Sequence, residues 1–159
     1  MTENLMECKM SEIIIPSIII YPGNTHLDPK DKKVLNYDGS RDIEGKFVVE
    51  DIGGISRIIA AEGFKKHLSI DCDVGDILKN MGFSYDEILS LREPTPERPL
   101  MDPKTSRNVY GGGSFKFSSE TFRFYSYSTD LGEFNPLQVE EIAQRYLQER
   151  NLSRNIETQ

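Results

Sequence analysis

Apolar positions recur with a period of two between Gly111 and Gly132, in GGGSFKFSSETFRFYSYSTDLG. Phe115 and Phe117 alternate with polar neighbours, as do Phe122 and Phe124, and Tyr125 and Tyr127 continue the second arm. That is the period of a half-buried strand, and Ser118, Ser119 and Glu120 supply turn residues between the arms, so the spacing predicts a β-hairpin. Ile13 to Ile20 is β-branched almost throughout and reads as a further strand. Pro16 confines that piece to an edge or a bulge, because it has no N–H to give to a ladder. Lys46 to Asp51 is a short strand with Phe47 and Val49 on one face, ended by Gly53 and Gly54. Ile55 to Phe64 fits either a brief strand or the first turn of a helix, and periodicity does not choose between them.

Two longer segments carry the helical period. Over His67 to Gly82, Leu68, Ile70, Cys72 and Val74 alternate like a strand, whereas Ile70, Val74, Ile77, Leu78 and Met81 form a helical stripe. The helical template covers more chain and ends on Gly82, a natural C-terminal stop, so it is preferred. Ser84 with Glu87 makes a capping-box pattern opening a short helix to Leu91, and Pro94, Pro96, Pro99 and Pro103 then forbid regular structure. Asn135-Pro136 starts a last helix whose apolar face is Val139, Ile142, Ala143, Tyr146 and Leu147. Residues 1–11 are expected to be a flexible lead-in, 12–150 one α/β domain with long loops at 21–45 and 83–109, and 151–159 a flexible tail.

Composition narrows the function classes. At 159 residues the chain suits one domain with a sizeable core, a sheet-plus-helix body by default. A formal charge of −7, from 26 acids and 19 bases, leaves no basic stripe for a phosphate backbone, so no nucleic-acid partner is expected. Cys8 and Cys72 are too few for a disulfide framework and have no neighbours at metal-ligand spacing, which fits a reducing compartment. The run Ile13 to Ile20 is too short to cross a bilayer, so no membrane partner and a soluble, cytoplasmic protein are expected.

Three pieces in order, KFVV after a glycine, H-x-x-I followed by G-D-I-x-K-N-x-G, and GGG…FYSYSTDLG running into an amphipathic helix, together resemble the Janus or 14 kDa phosphohistidine phosphatase family. The resemblance spans Lys46 to Arg150, with 83–109 as an insertion. It implies an α+β fold, a single mixed sheet packed by two main helices. It also implies a phosphatase of proteins phosphorylated on histidine that uses no metal and no cofactor. His67 stands where the family has its catalytic histidine, Lys46 where it has a substrate-binding lysine, and Ser128, Thr129 and Asp130 where its loop holds phosphoryl oxygens. The chemistry is sound for these residue types. A neutral imidazole can take a proton from water near physiological pH, while an ammonium and loop N–H groups stabilise charge on phosphoryl oxygens.

The chain also departs from that pattern. Ser114 follows the glycines where the family has an arginine, with Lys116 as the nearest cation. Asp130 replaces a small apolar residue, and Glu133, Phe134 and Asn135 occupy the place of a second histidine. Each residue has a plain alternative too: His67 as a capping side chain, Lys46 as a guard on an edge strand, the glycines as a bulge or a close backbone approach. Asp71, Asp73 and Asp76 lack the glycine-centred loop of a calcium site and read as a solvated helix face. Two other functions therefore stand beside the phosphatase, a catalytically weakened module that binds phosphate or a partner, and an interaction protein docking through its long loops.

Overall fold

The β-hairpin predicted by the alternating phenylalanines is the centre of a six-stranded mixed sheet. The computed structural model describes residues 13–23, 28–63, 66–93 and 109–159. The lead-in 1–11, His26 and the proline-rich stretch 94–103 lie outside the described residues. The strands are β1 (Ile18–Pro22), β2 (Ile43–Ile52), β3 (Ile55–Glu62), β4 (Val109–Phe117), β5 (Thr121–Tyr125) and β6 (Asn155–Thr158). Their order across the sheet is β1-β3-β2-β4-β5-β6. The β1–β3 and β5–β6 pairs are parallel and the others antiparallel. The helices are α1 (His67–Asn80), α2 (Tyr85–Leu91) and α3 (Pro136–Arg150).

Alternation along β2 divides the core between the two faces. Phe47 and Val49 join Ile58, Ala60 and the four hairpin phenylalanines beneath Val139, Ile142, Ala143 and Tyr146 of α3. Val48 and Ile52 join Ile59 and Ala61 beneath Ile70, Val74, Ile77 and Leu78 of α1. Phe115, Phe117, Phe122 and Phe124 are fully buried, each contributing about 1.5 to 3 kcal/mol. Phe117 stacks on Phe122 with ring centroids 4.1 Å apart, the cross-strand pair that fixes the hairpin register.

Local signals at the helix ends act as expected. Ser84 closes a complete capping box on α2, Asn135 caps α3 through its side chain, and Gly82, with φ of +109°, ends the turn after α1. Gly53 and Gly54, both at positive φ, form the two-residue turn that folds β2 onto β3. The segment beginning at Ile55, left open by periodicity, is therefore a strand. Among the described residues no helix is long and apolar enough to cross a membrane.

Four expectations are corrected. The first strand starts at Ile18, because the backbone before it bonds to side chains: Ser17 N donates to Glu149, and the Ile15 and Pro16 carbonyls accept from Arg57. The excursion 21–45 is trimmed at both ends. Of its apolar residues, Tyr21, Tyr37 and Ile43 are buried and Val34 and Leu35 half-buried, although turn formers dominate the window. The second hairpin arm ends at Tyr125, since Ser126 adopts φ of +66° and leaves Tyr127 outside the strand and exposed. The tail 151–159 is not free, for β6 pairs along β5 and Asn155 N donates to Glu120 O. Its weak signal is that of a short edge strand whose side chains alternate between exposed and half-buried.

Candidate functional site

His67 is the first residue of α1, and its ring lies against β4. Its Nε2 lies 2.8 Å from the Gly113 carbonyl oxygen, which can only accept, so Nε2 carries a proton and donates. The neutral ring then keeps its lone pair on Nδ1, which has no hydrogen-bond partner among the described residues. Burial pushes the His67 pKa below its ordinary value. The Gly113 hydrogen bond acts against this, Lys46 adds to the lowering, and Asp130 opposes it. The imidazole thus feels both an ammonium and a carboxylate nearby.

Lys46 reaches this place from β2. It pairs in register with Ser114 on β4, and its Nζ donates to Ser114 Oγ at 3.0 Å. Ser114, standing where the family resemblance expects an arginine, therefore supplies a hydroxyl that orients the ammonium. Lys46 and Ser114 also form one wall of a depression of about 350 Å³, bounded further by Ile43, Gly63 and Tyr125. Lys116 lies two residues along β4 on the same sheet face, opposite Glu44 and Arg123, and is exposed.

Residues 128–132 form a closed turn. Ser128 N donates to Gly132 O, Gly132 N donates back to Ser128 O, and Leu131 N donates to Ser128 Oγ. Ser128 is buried, so its part is to hold the turn closed from within. Thr129 and Asp130 are exposed at the tip, and their backbone N–H groups have no partner among the described residues. Successive free amides at a turn tip are suited to an anion.

The three glycines bring turn and imidazole together. Gly112 N donates to Gly132 O, while the next residue, Gly113, accepts from His67. Gly111 has φ of +98° at the bulge in the β2–β4 pairing, and a Cβ there would collide with the Glu133 backbone. A Cβ on Gly112 would collide with the Phe47 carbonyl oxygen and lie 3.0 Å from His67 Cδ2. Gly112→Ala is therefore expected to displace the ring and cost about 1 to 3 kcal/mol of stability, read as a lowered denaturant midpoint with a shifted His67 ring resonance. A variant with both unchanged would show that the strand and imidazole do not meet this closely.

All five residues singled out in the sequence thus come from elements that converge on Gly112–Ser114: Lys46, His67 and the turn Ser128–Asp130. Sequence reasoning missed Gly112 and Ser114 as shaping and orienting residues. The glycine run itself was the available signal. It also misread Asp71 and Asp73 as solvated, whereas both are buried, Asp71 against Arg92 and Asp73 against Lys32 and the Tyr21 hydroxyl. Their cations lie far away in sequence. Among the described residues no group of three or more His, Cys, Asp or Glu is placed to hold a metal ion. No protein-family model matches the chain, and no curated protein matches it in sequence.

Proposed function

We propose that the chain is a phosphohistidine phosphatase of the Janus type, hydrolysing phosphohistidine or a related phosphoramidate on a protein, without a metal. The observation that carries this reading is the tautomer of His67. With Nε2–H committed to Gly113 O, the basic nitrogen is Nδ1, in a ring held mainly neutral by burial and sharing its surroundings with the Lys46 ammonium. In the proposed step a water oxygen bonds to phosphorus as His67 Nδ1 takes its proton, and the P–N bond breaks. The electron pair of that bond leaves on the substrate nitrogen, which takes a proton from solvent, and His67 Nδ1 then returns its own proton to solvent. Lys46 and the Thr129 and Asp130 amides stabilise charge on the phosphoryl oxygens. The exposed free thiol of Cys72 fits a reducing cytoplasmic setting.

The test is release of phosphate from a phosphoramidate by the parent and by Lys46→Ala. One oriented charge on the phosphoryl group contributes about 10² to 10³ in rate, so Lys46→Ala should lose that much. A parent that releases no phosphate would contradict the reading. Two observations favour a second reading, a binding module of the same fold. The Asp130 carboxylate acts on His67, and Ser114 brings no cation. Saturable phosphate binding without turnover would select that reading.

A further inference from the structure

One turn beyond His67, α1 carries Asp71 on the same sheet-facing side, about 6 Å along the axis. Asp71 belongs to a buried cluster that the proposed chemistry does not use. Arg92, just after α2, sends its fork between β2 and α1: Nε and one terminal nitrogen donate to Glu50 Oε1 at 2.9 and 2.6 Å. That terminal nitrogen also donates to the Asp71 carboxylate at 3.0 Å and to the Asp71 carbonyl at 3.2 Å. Glu50 is fully buried, and its Oε2 has no hydrogen-bond partner among the described residues. Arg92 instead holds the Glu50 and Asp71 carboxyl groups to one terminal nitrogen, and buried carboxyl groups brought together in this way favour a proton on one of them. Burial pushes Glu50 up to about 8, against the pull of Arg92 and with help from the Asp71 charge, so Glu50 is the member that holds the proton.

The start of α1 lacks local end signals, so contacts with the sheet fix it. Its N-cap, Lys66, makes no side-chain cap, and its first turn has no acidic residue. Among the described residues, the polar ties of its first two turns to the sheet are the His67 bond to Gly113, the Asp71 cluster and, further on, the bond from the Tyr21 hydroxyl of β1 to Asp73; of these the Asp71 cluster lies nearest His67 along the helix. Glu50 lies on the same face of β2 as Lys46, four residues on, so strand and helix each present one site residue and one cluster residue. We infer that Glu50 and Arg92 are positioning residues for His67: Glu50 holds the Arg92 fork, the fork grips Asp71, and the first turns of α1 are thereby fixed with the imidazole on Gly113. The inference rests on the proposed role of His67, but its test has a readout that does not need turnover.

That readout is the pH titration of the His67 ring resonance, in a chain with two histidines. Glu50→Gln keeps a side-chain oxygen that accepts both bonds from Arg92. It should leave the midpoint and kcat unchanged. Glu50→Leu cuts both bonds, and the midpoint should move towards that of a free imidazole. A small misplacement of the base should then lower kcat about a hundredfold at unchanged KM. Should Glu50→Leu not fold, Arg92→Lys keeps the charge and loses the fork, and should move the midpoint in the same direction. An unchanged midpoint in the folded Leu or Lys variant, or a Gln variant as damaged as Leu, would overturn the inference. A parent inactive on phosphoramidates would count against the proposed function and leave the midpoint to decide this question.

Discussion

Replacing His67 by alanine is expected to reduce phosphoramidate turnover by about 10² to 10⁴, the contribution typical of one positioned base. The lost group is Nδ1, the nitrogen left unprotonated once Nε2 donates to Gly113. The same assignment fixes the acid limb of the pH profile. A base works when deprotonated, and burial lowers the His67 pKa, so kcat/KM should rise through a midpoint below 6.5 and stay flat across neutral pH. Stability follows the same sign. The unfolded ring binds a proton more readily than the folded one, so this group's contribution is present above about 6.5 and is lost as pH falls through the lower folded value. Turnover unaffected by His67→Ala would remove the residue from the mechanism.

Arg92→Met should be the most destabilising single change, at about 3 to 5 kcal/mol. Removing one partner leaves the other charge buried and uncompensated, here Asp71 beside Glu50. Against a typical total of about 5 to 15 kcal/mol, that is a large part of the stability. Replacing Arg92, Glu50 and Asp71 together by apolar residues of similar volume should come close to neutral, because the desolvation of all three groups disappears with them. Denaturant midpoints of both variants check this. A loss of under about 1 kcal/mol in Arg92→Met would mean that the cluster is hydrated and paired only loosely.

The parts legible in the sequence were those encoded locally. The phenylalanine alternation gave the hairpin, Ser84 and Glu87 the capping box, and Asn135-Pro136 the start of α3, since in each case neighbours within four residues decide the outcome. The mixed sheet with packing helices followed the family resemblance. What escaped the sequence depends on partners far along the chain. Asp71 and Asp73 look like solvent-facing carboxylates until Arg92 and Lys32 arrive from other segments. β6 is a strand because β5 has an open edge, and β1 begins late because Glu149 and Arg57 take the backbone groups before it. In the site, residue types and order indicated His67, Lys46 and the turn. That Ser128 is turned inward, and that Gly112 is the meeting point, depends on backbone hydrogen bonds that no local pattern encodes.

The central claim is that imidazole, ammonium and turn tip form a single anion site, and titration of the parent with inorganic phosphate, followed by amide and side-chain NMR, tests it most directly. The account predicts saturable shifts of the Thr129 and Asp130 amides, the Lys46 ammonium and the His67 ring, all with one apparent Kd. Shifts confined to other residues, or amides and ring responding with different affinities, would contradict it.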